Sequence, residues 1–86
     1  MDVWTIKGYE TWLTENGDEC VRLYVTRPAI KLEEGHTGSG EETNRLFYKK
    51  KYVPYPPVIG DQIVAVEGRY GVNQILVVGH VDTPAS

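Results

Sequence analysis

The stretch that decides the fold runs Val58-Ile59-Gly60-Asp61-Gln62-Ile63-Val64-Ala65-Val66-Glu67-Gly68-Arg69-Tyr70. Gly60 and Asp61 are a typical turn pair, and the apolar, partly β-branched residues after them predict a strand. Gly68 interrupts that strand, and an isolated glycine in a strand indicates a bulge, a bend or a close backbone approach. A second apolar run, residues 74 to 81, follows after a short connection. The two runs together predict a β-hairpin.

A second hairpin is predicted near the N-terminus. Residues 3 to 13 carry aromatic and β-branched side chains with an imperfect period of two, and Gly8 in their middle predicts a first strand that bends. Asn16-Gly17 between two strand-like runs is a strong hairpin signal. Residues 19 to 27 alternate and predict a second strand with two faces. Its inward set is Val21, Leu23 and Val25, and its outward set is Cys20, Arg22, Tyr24 and Thr26.

A long loop is predicted between the second and third strands. Pro28 ends the second strand, and residues 31 to 43 contain three glycines and four glutamates. So few apolar groups cannot offset the entropy of ordering, which predicts a flexible loop. Residues 45 to 53 then predict a third strand, followed by an extended Pro-Tyr-Pro-Pro segment. In that strand Leu46 and Tyr48 are expected to face inward, and Arg45, Phe47, Lys49 and Lys51 outward.

This order of strands predicts one all-β domain over residues 1–86, a small five-stranded OB-like barrel. The segment from 58 to 70 resembles the fourth strand of bacterial single-stranded DNA-binding proteins of the OB fold, where a Gly-Asp turn feeds a strand closing in a Val-Glu-Gly-Arg-like segment. Elsewhere the resemblance is one of pattern. Asn16-Gly17 stands at that family's first hairpin turn, residues 20 to 26 at its second strand and residues 45 to 51 at its third.

The chain departs from that family in two places. The family's helix between the third and fourth strands is replaced here by the proline-rich segment 52 to 57, and its acidic C-terminal tail is absent. In size and in lacking the helix, the chain is also similar to the small single-stranded DNA-binding proteins of filamentous phages and to plasmid-borne OB proteins. The resemblance implies a non-catalytic homo-oligomer of a phage or mobile element that binds single-stranded DNA, with RNA as the other candidate ligand, during DNA replication.

Length and charge limit the classes of protein. A chain of 86 residues is one small domain that buries little more than ~60% of its unfolded surface, which favours oligomerisation. The net charge of -3 argues against a uniformly basic nucleic-acid binder. The charges are segregated, however, because the glutamates of the predicted loop precede Arg45 and the run Lys49-Lys50-Lys51. Neither a membrane span nor a signal peptide is readable, so the expected location is cytoplasmic.

Catalytic and metal sites have no sequence signature. Cys20 is the single cysteine and is expected to be a partly buried thiol. His36 and His80 stand at unrelated spacings, which gives no metal-ligand pattern. No arrangement suggests a nucleophile or a carboxylate pair in an apolar setting, so we expect no enzyme and no cofactor.

A single-strand binding surface is predicted on the outward sets of the second and third strands. Sequence-tolerant binders need aromatic faces for bases and cations for phosphates on one open face. The candidate residues are Arg22, Tyr24, Arg45, Phe47, Lys49, Lys51 and Tyr52, extended by Arg69 and Tyr70 at the tip of the last hairpin. Phe47 has the most weight, since an aromatic facing solvent on a basic strand is hard to explain as core.

Each of these assignments has an alternative. A one-residue error in parity would place Phe47 in the core and Leu46 and Tyr48 outside. The lysine run can equally protect an exposed edge strand, and Arg69 with Tyr70 are also ordinary turn residues. The acidic loop is either a solvated linker or a shield over the basic strand. A second function therefore stays open, in which the barrel is a protein-interaction or assembly module of a phage or mobile element.

Overall fold

The computed structural model describes residues 2–28, 34–36, 38 and 40–82. These residues form five strands, β1 (Trp4–Leu13), β2 (Glu19–Pro28), β3 (Glu41–Lys49), β4 (Asp61–Gly68) and β5 (Gly71–His80). All neighbouring strands are antiparallel and belong to one sheet with the order β3-β2-β1-β4-β5. The prediction of an all-β fold with five strands is confirmed for the described residues. In this part of the chain no helix has the length and apolar character needed to cross a membrane.

Both predicted hairpins form, and positive-φ glycines lie in the first turn (Gly17), directly before β4 (Gly60) and directly after the second turn (Gly71). Gly17 has a φ of 82° and its amide donates to the Thr14 carbonyl at 2.9 Å. Gly60, with a φ of 97°, leads directly into β4, as the Gly-Asp signal predicts. Arg69 and Tyr70 form the tip between β4 and β5. The last strand begins at Gly71, three residues earlier than the apolar run indicates, because the turn is that short.

The core lies on one face of the sheet and confirms the predicted faces of β2 and β3. Val21, Leu23 and Val25 are buried, as are Leu46 and Tyr48. These side chains pack with residues from the other strands and from the segment before β4, namely Trp4, Ile6, Val53, Ile63 and Val72. Phe47 is therefore on the face opposite the core. The alternative that placed Phe47 inside is wrong.

The first strand bends where Gly8 predicts. The pairing of β1 with β2 shifts register between Ile6 and Gly8, so Lys7 is an extra residue there. Ile6 lies opposite the inward Val25, whereas two residues further on Gly8 lies opposite the outward Tyr24. Even-numbered residues of β1 consequently face the core before the bulge and the opposite side of the sheet after it.

The sheet is not closed into a barrel, which corrects the expected architecture. Closure requires a hydrogen-bonded ladder between β3 and β5, and the described strands have no such pairing. β4 pairs with β1 only at Trp4 and Thr5, so the last hairpin diverges from the sheet. The start of β5 still reaches β3, because the Phe47 carbonyl oxygen lies 2.7 Å from where a Cβ on Gly71 would be.

The bounds of the third strand also differ from the prediction. β3 begins at Glu41, inside the segment expected to be loop, and ends at Lys49 rather than at Val53. Pairing with β2 explains the early start, since Glu41 lies opposite Pro28 and Glu42 opposite Arg27. Of the expected flexible loop, residues 31–33, 37 and 39 lie outside the described residues.

Gly68 is the last residue of β4, whereas the sequence predicted that it would bend the strand. It pairs with Gly71, and the register shift expected near it lies between Val66 and Glu67. A Cβ at Gly68 would overlap the side chain of Asn73, not the backbone of another strand. The expected close approach of two backbones occurs instead at Gly60 and Gly71.

Candidate nucleic-acid interface

The face of β1, β2 and β3 opposite the core carries a grid of aromatic and cationic side chains. Cross-strand register places Phe47 beside Arg22, and Arg45 beside Tyr24. On the other side of β2, Trp12 lies opposite Cys20. We call the group Trp12, Arg22, Tyr24, Arg45 and Phe47 the outer platform. The period of two brings these residues to one face because their strands pair without interruption from β1 to β3 over this region.

An aromatic pair forms the centre of the outer platform. The ring centroids of Trp12 and Phe47 are 5.8 Å apart with an interplanar angle of 32°. The Arg22 guanidinium carbon lies 5.1 Å from the Trp12 ring centroid, within the range of a cation–π contact. Cys20 belongs to this face and is nevertheless almost completely buried. Its flanking neighbours in the register, Trp12 and Lys49, are both long enough to cover it.

A cleft of about 600 Å³ continues the outer platform at the gap between β3 and β5. Phe47 and Lys49 line one side, and Tyr70 of the hairpin tip with the start of β5 lines the other. Tyr52 stands at the mouth with 71% of its surface exposed, and Tyr70 is 83% exposed. Large aromatic rings so accessible to solvent contribute little to the core. They are available to stack on a flat ligand.

A second groove, of about 520 Å³, lies at the other end of the outer platform. Tyr24, Arg45 and Lys7 contribute its aromatic and cationic side chains. The Arg45 guanidinium carbon lies 5.8 Å from the Tyr24 ring centroid. Among the described residues Arg45 has no carboxylate partner, so its charge is available to an incoming anion.

Most other cations of the site are held by carboxylates of β1 and of the first hairpin. Glu10 accepts hydrogen bonds from Arg22 at 2.6 Å and from the Tyr24 hydroxyl at 3.0 Å. Asp18 lies 3.2 Å from Lys51 Nζ and 3.9 Å from Lys49 Nζ. The hydrogen bond with Asp18 raises the pKa of Lys51, so this ammonium group stays charged. Carboxylate oxygens thus occupy the positions beside these cations where another anion would bind.

Of the two alternatives for the acidic loop, the shield is not seen: none of its described glutamates pairs with a cation of the outer platform. Glu42 does pair with a cation, Arg27, at 2.7 Å, but Arg27 lies outside the outer platform. Lys50 pairs with Glu19 at 3.5 Å. The carboxylates that cover the candidate site are Glu10 and Asp18, neither of which belongs to the loop.

The structure brings together most of the residues that the sequence predicts for the site. Seven of them belong to the outer platform or line the cleft, and they are Arg22, Tyr24, Arg45, Phe47, Lys49, Tyr52 and Tyr70. Lys51 joins them through Asp18 and lies 5.0 Å from the Tyr52 ring centroid. Arg69 lies 5.6 Å from the Tyr70 ring centroid at the hairpin tip and is not among the cleft's lining residues.

Trp12 is the member of the outer platform that the sequence did not single out. Its parity matches Trp4 and Ile6, which are core residues. The bulge before Gly8 reverses that parity and turns Trp12 to the outer face. The signal that could have found it is Gly8, read as a change of face and not only as a bend.

A second polar cluster ties together the ends of the last hairpin. The buried Asp61 accepts hydrogen bonds from the Tyr55 hydroxyl at 2.6 Å and, at 2.8 Å, pairs with His80 Nδ1. The hydrogen bonds from Tyr55 and His80 lower the pKa of Asp61. The Tyr48 hydroxyl donates to the Tyr55 carbonyl at 2.6 Å, and burial raises the pKa of both tyrosines. This cluster fixes the proline-rich segment against β4 and β5.

No protein-family model, curated protein or solved structure matches the chain.

Proposed function

We propose that this protein binds single-stranded DNA without catalysis, by stacking bases on the outer platform and the cleft and by neutralising phosphates with the cations around them. The observation that carries the proposal is the Trp12–Phe47 pair on the face opposite the core, flanked by Arg22. A cytoplasmic homo-oligomer acting in the replication of a phage or mobile element would meet such exposed strands. RNA is the other ligand of the same chemistry.

The aromatic surface fits bases better than it fits a protein partner. Stacking needs an accessible π face, and every base has one, so such surfaces bind without strong sequence preference. Trp12, Phe47, Tyr52 and Tyr70 form a discontinuous row from the outer platform through the cleft. Four accessible rings offer more than one place for a base to stack.

The position of this row in the fold also supports the proposal. OB folds are five-stranded, partly open barrels that bind oligonucleotides on the face of strands 2 and 3 and with the loops that join strands 1–2 and 4–5. Here four of the five residues of the outer platform lie on β2 and β3, Asp18 lies in the β1–β2 connection, and Tyr70 lies in the β4–β5 connection. We propose that the open sheet is an OB-like arrangement whose β3–β5 seam has become the cleft.

Fluorescence titration with oligo-dT tests the proposal. Trp4 is buried in the core and Trp12 stacks on Phe47, so saturable quenching should come from Trp12. A Trp12→Phe variant should lose most of the quenching while still shifting the anisotropy of a labelled oligonucleotide. A duplex of the same length is the control ligand. Absence of saturable binding at micromolar protein and low salt would overturn the proposal and would favour the protein-interaction module.

The two lysines beside Asp18, Lys49 and Lys51, should control the salt dependence of binding. Removing one phosphate contact from a single strand reduces the slope of log K against log salt by about 0.7, so Lys49→Ala with Lys51→Ala should reduce it by about 1.4. Titrations at four or more salt concentrations measure the slope. Lys50→Ala is the matched control, because Lys50 pairs with Glu19 and not with Asp18 and does not line the cleft. Equal slopes for the double variant and the wild type would show that these lysines do not contact phosphate.

Removing the carboxylate of Asp18 should tighten binding. Asp18 must release Lys49 and Lys51 before they can contact phosphate, and exposed ion pairs are weak enough for this exchange. We expect Asp18→Asn to lower Kd about two- to five-fold at low salt, and less at high salt. Glu15→Gln is the matched control. It removes the same charge from the same hairpin, and Glu15 pairs with no cation among the described residues. An equal gain for both variants would show a general charge effect without competition for the lysines.

A further inference from the structure

Most of the exposed large apolar side chains among the described residues belong to two regions of different chemistry. Around the outer platform and the cleft they are aromatic, as in Tyr24, Tyr52 and Tyr70. Around the β4–β5 hairpin they are aliphatic. These exposed aliphatic residues are Val58, Ile59, Val66, Leu76, Val77, Val78 and Val81. Aliphatic side chains offer no π face for a base, so this second surface indicates a protein partner.

The outer edge of β5 has no strand partner among the described residues. β5 pairs with β4 along one edge, and its other backbone edge forms no ladder with a strand in the described part of the chain. Natural proteins protect such edges with charges or proline. The opposite end of the sheet follows this rule, since β3 carries Glu41, Glu42, Arg45 and Lys49. Residues 71 to 79 of β5 contain neither a charge nor a proline.

We propose that β5 pairs with β5 of a second copy of this chain, so that two sheets become one continuous sheet across a two-fold axis. In a two-fold antiparallel pair each side chain meets residues of its own strand, so any charge near the axis would face a like charge. An uncharged strand avoids that repulsion. This β5–β5 pairing would be the interface of the proposed homo-oligomer, and it does not depend on nucleic-acid binding.

The register of β5 allows the axis at Ile75 or Leu76, and the greater exposure of Leu76 selects it, since Ile75 packs against the core. Register shifts between Gln62 and Ile63, and between Val66 and Glu67, restrict the regular part of the β4–β5 ladder to residues 74–77 of β5. A two-fold axis perpendicular to the sheet preserves its faces, so inward residues must oppose inward residues and the axis must pass through a residue. Centring on Leu76 brings it against its own copy and brings Ile75 against Val77. Leu76 is 57% exposed in the single chain.

This interface leaves the candidate nucleic-acid site open. The cleft uses Val72 and Asn73 at the start of β5, and the proposed pairing uses the residues after them. Both sites of the dimer would then be accessible to one strand of DNA or to two.

Sedimentation velocity without DNA tests the proposal at protein concentrations of tens of micromolar. We expect the wild type to sediment as a dimer and Leu76→Lys, which opposes two ammonium groups at the axis, to sediment as a monomer with an unchanged far-UV spectrum. Leu13→Lys is the matched control, because Leu13 is 70% exposed on β1, outside the aliphatic surface. It should remain dimeric. A monomeric wild type, or a Leu76→Lys protein as dimeric as the wild type, would overturn the proposal.

Disulfide formation keeps the test decisive if Leu76→Lys fails to fold. Leu76→Cys should give a covalent dimer under mild oxidation, because the axis brings the two cysteines together, whereas Val66→Cys on β4 should not. The native Cys20 is buried and should not react. A Leu76→Cys protein that yields no more covalent dimer than Val66→Cys would place the axis elsewhere and overturn the assignment. All these measurements omit nucleic acid, so their failure is distinguishable from a failure of DNA binding.

Discussion

Phe47→Ala is expected to weaken single-strand binding by about 1–3 kcal/mol for each base that stacks on this ring, roughly a 5- to 150-fold increase in Kd. Phe47 contacts Trp12 in the outer platform and also lines the cleft, so one substitution damages both stacking regions. The slope of log K against log salt should change little, because no charge is removed. Anisotropy titrations with labelled oligo-dT at several salt concentrations measure both quantities.

The position of Phe47 makes this a test of binding and not of folding. The ring is half-buried on the face opposite the core, so the variant should keep a cooperative thermal transition. Tyr9→Ala is the matched control, since Tyr9 is 46% exposed and lies opposite the inward Leu23, away from the outer platform. If Phe47→Ala and Tyr9→Ala bind as tightly as the wild type, the outer platform is not a stacking surface.

Gly60→Ala is expected to lower the free energy of unfolding by about 2–5 kcal/mol, a large part of the total stability of a small domain. A φ of 97° is a conformation that L side chains rarely adopt, and it costs about 1–2 kcal/mol. The new methyl group would also overlap the Val81 carbonyl oxygen and touch His80. Overlap with backbone typically adds about 1–3 kcal/mol, because backbone cannot turn aside as a side chain can. Urea denaturation measures the decrease.

Gly17→Ala separates the two contributions to this decrease. Gly17 has a φ of 82°, and a Cβ there would meet nothing within 4 Å. This variant should therefore show the conformational cost alone, about 1–2 kcal/mol. Equal decreases at the two glycines would mean that the end of β5 moves away from Gly60 at no cost, so that the close approach of the Val81 carbonyl does not constrain the fold.

Local periodicity predicted the faces of β2 and β3 because both strands are regular along the part that forms the core. Val21, Leu23 and Val25 alternate without interruption, and the pattern needed no knowledge of the partners. β1 was harder. One extra residue at Lys7 exchanges its faces, so Trp12 joins the outer platform although its parity matches the buried Trp4.

The electrostatics of the site could not be predicted from periodicity. Lys51 and Asp18 are far apart in sequence and meet only because the first hairpin returns beside the end of β3. Closure of the sheet into a barrel could not be predicted from periodicity either. The expected order of five strands does not determine whether the sheet closes into a barrel. Closure depends on how far the pairing of β4 with β1 extends.

The short pairing of β1 with β4 has a mechanical consequence. Two residue pairs, Trp4–Ile63 and Thr5–Gln62, join these strands, whereas the ladder from β1 to β2 extends from Thr5 to Leu13. The two walls of the cleft therefore belong to two ladders that only these two residue pairs join. We expect the distance between Phe47 and Tyr70 to vary more easily than distances within either ladder. Under the proposed function, a cleft of adjustable width would accept purine and pyrimidine bases alike.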